Sequence, residues 1–215
     1  MLGMPFDPKS EVLIGERLRP HWSRAGAIVF VTFRTHDSIP QSVLLRWDRE
    51  KNDWMKRLGL PQQNWSTLLP LLSEKDQKDF HREFNRTRED FLDTFHGKCL
   101  LRQPELAKIV SDSLLHFDGD RYRMGDFVVM PNHVHLLAAF GCPEQMREQF
   151  DSWLHYTAVQ INRQIGATGS FWQQEPFDHL VRSSEQYHYL REYIFQNPGK
   201  ARLRDGEYLY RRYEP

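Results

Sequence analysis

Only two cysteines, Cys99 and Cys142, occur in the 215 residues. They are too few for a disulfide framework and do not form a C-x-x-C pair, so a reducing cytoplasm is the expected setting. No apolar run approaches the roughly 18 residues that span a bilayer, and no membrane partner is expected. The first twenty residues hold no apolar stretch of the secretory kind. Net charge is missing as well, since 29 basic residues balance 29 acidic ones. Proteins that bind nucleic acid usually carry a basic footprint, so any such contact here must come from a local patch. The best candidate is the tail, with Lys200, Arg202, Arg204, Arg211 and Arg212. An ordinary charged terminus is the plainer account of that tail.

What is present suffices for a core. Hydrophobic residues make up 40% of the chain and aromatic residues 13%, and the mean hydropathy of -0.68 is that of a soluble protein. The length suits one domain over 1–215 that carries a large insertion. Residues 1–24 are polar and broken by Pro5, Pro8 and Pro20, which predicts an extended arm. Ala27–Arg34 (AIVFVTFR) is dense in β-formers and reads as a strand. From 41 to 97 the chain is charged and lacks strand alternation. It carries Trp47, Trp54 and Trp65 and predicts a helical insertion. Within it Lys75–Phe95 is the longest helix, with Phe80, Phe84, Phe91 and Phe95 on the buried face.

Pro104–Phe117 has helical spacing behind a first-turn proline. Two strands, Arg121–Met130 and His133–Phe140, flank Pro131-Asn132. A third helix covers Pro143 to about Ile165, and a short strand Phe177–Arg182. The last helix opens at Ser183, which has capping-box spacing to Gln186, and Pro198 is expected to end it. Without the insertion the order is β-α-β-β-α-β plus a terminal helix. That is an α+β, ferredoxin-like split βαβ core with an antiparallel sheet and its helices on one face.

Three stretches carry chemistry. In Met130–Ala138 (MPNHVHLLA) alternation puts His133 and His135 on one strand face and Val134 on the other. Two imidazoles on one face bind a metal if a third ligand arrives, although a structural or merely exposed pair has the same spacing. In the terminal helix Tyr193 and Asn197 lie one turn apart on one side. Asn197 is a hard amide ligand in one reading and a helix C-cap in the other, with Tyr193 then a core residue. In Phe171–Arg182 the polar groups Asp178, His179 and Arg182 surround a short strand. A loop aromatic cluster and a surface ion pair would look the same.

The set VVMPNHVHLLAAF, FWQQEPFDHLVR and REYIFQNPGKA, in that order, resembles the single-tyrosine HUH transposases. It is most similar to their domesticated branch, the REP-associated tyrosine transposases, whose opening strand HWSRAGAIVFVTFRTHDSIP also resembles. The resemblance covers about residues 21–38 and 98–203; the stretch from about 41 to 97 departs from the family's compact pattern. By resemblance, His133, His135 and Asn197 hold a divalent metal, magnesium or manganese, and Tyr193 is the nucleophile that forms a 5′-phosphotyrosine. The implied substrate is single-stranded DNA near REP-type hairpins, in a bacterial cytoplasm and associated with the nucleoid. A monomer is implied, with a dimer as the alternative. Trp172, Phe177, Arg182, Lys200 and Arg202 are candidate DNA contacts, although core packing explains Trp172 equally well. Asp178 and His179 are candidates for proton transfer. Two other functions fit parts of the pattern: a catalytically silent hairpin-DNA-binding protein, and an unrelated H-x-H metallohydrolase with acidic ligands and a water in place of the tyrosine.

Overall fold

The computed structural model describes residues 2, 13–16, 20–23, 26–61, 63–92, 94–174 and 176–214, with the side chains at 13–16, 20–23, 85, 89, 90 and 92 excepted. Most of the expected N-terminal arm lies outside these residues. What is described there is a two-stranded antiparallel ribbon of β1 (Leu13–Glu16) and β2 (Pro20–Ser23) rather than a purely extended segment. The chain continues through β3 (Ile28–Arg34), α1 (Gln41–Arg57), α2 (Trp65–Leu68), α3 (Glu74–Leu92), α4 (Pro104–Leu115), β4 (Tyr122–Val129) and β5 (His133–Phe140). It ends with α5 (Pro143–Ile165), β6 (Phe177–Leu180), α6 (Ser184–Lys200) and β7 (Leu209–Arg211). No helix among the described residues is long and apolar enough to cross a membrane.

These elements form two compact units, Asp37–Lys98 and the remainder of the chain. In the larger unit five strands form one sheet in the order β6-β3-β5-β4-β7, and every neighbouring pair is antiparallel. The first four strands of that order give the split βαβ arrangement, in which β5 lies between β3 and β4. The short edge strand β7 has no counterpart in the sequence-based expectation.

One face of the sheet is apolar. Val29, Val31 and Phe33 of β3 and Val134, Leu136 and Ala138 of β5 meet Leu106, Val110 and Leu114 of α4 and Met146, Phe150, Trp153 and Ile161 of α5. Proline at the first turn of α4 and of α5 gives up an N–H that no helix uses there. Trp172 belongs to this core. It is 5% exposed, its Nε1 donates to Thr157 Oγ1 at 2.8 Å, and its ring packs against Phe171 and Phe33. It is therefore no platform for an unpaired base, because the core already covers its ring.

The smaller unit is helical. Trp54, Met55, Leu68 and Phe80 make one cluster and Ile39 and Trp47 another, with Phe84 and Phe91 half-buried against them. Phe95 lies beyond the end of α3 with φ +52°, outside the helix that was expected to bury it. The unit's two ends meet: the Asp37 carboxylate accepts from the Lys98 N–H at 2.8 Å. Gly97, at φ +89°, runs so close that a Cβ there would lie 2.6 Å from the Asp37 carbonyl oxygen.

Candidate active site

The opposite face of the same strands is polar. Register puts Thr32 beside His135, Arg34 beside His133 and Phe30 beside His179, all on the side away from α4 and α5. His133 and His135 are buried, at 0% and 1% exposure, with ring centroids 4.7 Å apart. Each Nδ1 already has a neighbour: Asn132 Oδ1 is 2.8 Å from that of His133 and Thr32 Oγ1 is 2.9 Å from that of His135. The Asn132 oxygen can only accept, so His133 Nδ1 carries the proton and Nε2 keeps its lone pair. Burial pushes the His133 pKa down to about 3, which holds the ring neutral, the form in which a histidine binds a metal.

Helix α6 packs on this face, against β4 and β5. Its start follows the expected code: Ser183 Oγ accepts from the Gln186 N–H at 3.1 Å. Gln186 Oε1 returns to the Arg182 N–H at 2.7 Å, one residue before the usual capping-box target. Its end does not follow. The helix passes through Pro198 to Lys200, and its C-cap is Ala201, whose N–H donates to the Asn197 carbonyl at 3.1 Å. A proline in the last turn forfeits one N–H bond without breaking the rest. Asn197 is therefore an internal helical residue and not a cap.

That placement brings two motifs together. Tyr193 Oη lies 3.5 Å from His135 Nε2, the outer limit of a hydrogen bond, with the rings 5.3 Å apart. Phe30 touches His135, Tyr193 and His179. One turn beyond Tyr193, Asn197 is fully buried, and neither Oδ1 nor Nδ2 has a hydrogen-bond partner among the described residues. Leaving such an amide unmatched costs on the order of 1–3 kcal/mol. A cation bound by Oδ1 would remove part of that cost, and an amide oxygen and neutral imidazole nitrogens are both donor types that a divalent metal takes. Among the described residues no three of His, Cys, Asp or Glu gather to hold one.

The other expected residues divide. His179 shares the site face, but Asp178 pairs with Val31 and falls on the opposite one, so strand alternation separates it from the phenol. Phe177 is half-buried on the edge strand, on the face of Thr32. Lys200 Nζ stands 5.4 Å from the Tyr193 ring centroid. Arg202 follows, exposed, just past the helix end at φ +56°. Arg182 is exposed at the far end of α6, about 27 Å along the axis from Lys200, so these cations do not form one patch.

A second polar cluster went unread in the sequence. Asp126 is 2% exposed. Its carboxylate accepts from Arg191 Nε at 3.1 Å, the Tyr213 N–H at 2.8 Å and Tyr210 Oη at 3.4 Å. Arg191 Nη2 also donates to the Tyr213 carbonyl at 3.1 Å. The Asp126 bond holds the Arg191 guanidinium pKa above its usual value, while burial and Asp126 push that of Tyr210 up. Asp126 reaches α6 because β4 carries a bulge. Between Met124 and Phe127 the register advances three residues against two on β5. Strict alternation from Met124 would have turned the carboxylate into the apolar core. Gly125 permits the bulge, since a Cβ there would meet the Leu137 carbonyl oxygen at 2.8 Å.

No family model and no curated protein matches this chain. Among solved structures, one described as a REP-associated tyrosine transposase bound to a REP hairpin aligns with 84% of this chain and 71% of its own. The identity is 14% and the TM-score 0.43.

Proposed function

We propose that this protein is a metal-dependent, single-stranded DNA endonuclease and strand transferase that uses Tyr193 as its nucleophile at REP-type hairpins. The observation that supports this most is the approach of Tyr193 Oη to His135 Nε2. Two motifs 58 residues apart in the chain meet at 3.5 Å, with nothing in either motif alone requiring it.

His133, His135 and Asn197 would hold the ion, Mg²⁺ or Mn²⁺, and when bound it supplies positive charge beside the anionic phosphodiester. Tyr193 forms the new bond from Oη to phosphorus, in line with the departing 3′ oxygen. As the phosphorus–O3′ bond breaks, the phenolic proton is given up and the 3′ oxygen gains one. The products are a 5′-phosphotyrosine and a free 3′-hydroxyl. Phe30 and Thr32 hold His135, and Asn132 holds His133, so the pair stays in register with the phenol. Lys200 and Arg202 put positive charge at the Asn197 end of the helix, where a nucleic acid backbone would pass.

The test incubates the protein with a labelled single-stranded hairpin oligonucleotide and Mn²⁺ and looks for a denaturant-resistant adduct. Adduct is expected with the wild type and absent with Tyr193→Phe. Persistence in Tyr193→Phe, or no adduct on any REP-type hairpin, refutes the reading. Mn²⁺ binding by calorimetry provides a readout independent of turnover, and it is expected to weaken in Asn197→Ala and in His135→Ala.

A further inference from the structure

We infer that the Asp126–Arg191 pair is a positioning device that fixes the roll of α6 about its axis and so the height of Tyr193 over His135. The catalytic consequence rests on the function proposed above; the mechanical role does not.

Leu190, Ile194 and Asn197 form the buried stripe of α6. At about 100° per residue, Tyr193 lies roughly 60° to one side of Leu190 and Arg191 roughly 100° to the other. The aliphatic members of the stripe resist lifting of the helix, but they resist rolling poorly, because apolar contact is not directional. A charge-assisted bond from a planar guanidinium is directional, and it acts on the flank opposite the phenol. Side chains reach about 5–6 Å from a helix axis, so a roll of about 10° moves a side-chain tip about 1 Å. Displacements of about 1 Å cost as much as 100-fold in rate.

Two further observations point the same way. The anchor is itself held, because Asp126 also accepts from the Tyr213 N–H and Tyr210 Oη, while Tyr187 packs beside Arg191 at 5.7 Å. And the chain distorts β4 at Gly125 to aim this carboxylate at α6. Stability alone is a poor reason for such a construction, since buried ion pairs are commonly replaced by apolar residues without loss.

The test compares the wild type, Asp126→Asn and Arg191→Lys by three measurements. These are hydrogen exchange, the single-turnover rate of adduct formation on a hairpin oligonucleotide with Mn²⁺, and affinity for that oligonucleotide by anisotropy. Asp126→Asn is expected to lower the rate about 10- to 100-fold, with affinity unchanged, faster exchange in α6 and undiminished protection in α4 and α5. Arg191→Lys, which keeps the charge, is expected to recover part of the rate. Wild-type rate and α6 protection in Asp126→Asn overturn the inference. So does loosening of α4 and α5 together with α6, which marks a merely structural pair. Should Asp126→Asn fail to fold, Tyr210→Phe removes one contact to the same carboxylate and is read the same way on a smaller scale. If the wild type itself forms no adduct, the proposed function fails, and exchange in α6 still decides for or against the clamp.

Discussion

The two faces of β3 and β5 differ in everything but backbone. Val29, Val31, Phe33, Val134 and Leu136 point one way, into an apolar core under α4 and α5. Phe30, Thr32, Arg34, His133 and His135 point the other way, beneath α6. Both faces are buried, so depth does not separate them; what differs is what each side chain requires of its neighbours. The apolar face needs volume to be filled, and the polar face needs partners at set distances. A period of two residues allows one strand to meet both demands, at the cost that a slip of one residue would exchange them.

Substitutions that strike one face and spare the other sharpen this contrast. The largest effect is expected from Tyr193→Phe, which removes only the attacking oxygen. Adduct formation should fall to background while the thermal midpoint stays near that of the wild type. A large drop in midpoint would mean that the polar face carries stability after all.

On the opposite face Trp153, 2% exposed and ringed by Phe33, Tyr122, Phe140 and Phe150, should lose about 3–5 kcal/mol as Trp153→Ala. Urea titration reads this directly, and a loss below about 1 kcal/mol would contradict the packing described.

The polar face does have one stability signature, its dependence on pH. His133 is held neutral with its pKa near 3, against an ordinary value of 6.5. Below 6.5 the unfolded chain therefore binds a proton that the folded chain refuses. This contribution is complete above pH 6.5 and is lost as pH falls towards 3, at about 1.4 kcal/mol per pH unit. Unfolding at pH 7, 6 and 5 should show a shallower slope in His133→Gln than in the wild type; equal slopes would show that His133 titrates normally.

The smallest effect is expected where α6 begins. Ser183→Ala removes the hydroxyl that caps Gln186 and should cost about 1 kcal/mol. A change in the midpoint of denaturation with unchanged m-value is the sign to look for.

Much of the site face was legible without coordinates. Alternation in His133-Val134-His135 sorted the imidazoles from the core residue between them, and a four-residue spacing put Tyr193 and Asn197 on one side of a helix. Ser183 announced where that helix starts. Other features were not legible, for identifiable reasons. Pro198 reads locally as a stop, yet the helix carries it in its final turn. Trp172 reads as well for a base contact as for core packing, and only the distant partners Thr157 and Phe33, which give it a buried seat, decide for the core. Asp178 and His179 are neighbours in sequence and lie on opposite faces of an edge strand. Asp126 and Arg191 are 65 residues apart, and nothing near either one names the other.

By itself the sequence determined what each short segment could become, because periodicity, capping and proline chemistry act over a few residues. It settled which side chains share a face and which elements alternate into a split βαβ order. Only the tertiary structure decided which faces meet: that α6 crosses the histidine side of the sheet, that a bulge at Gly125 turns Asp126 towards it, and that Trp172 lies inside. Those outcomes depend on burial and on partners far away along the chain, and such pairings have no local signature for a sequence to display.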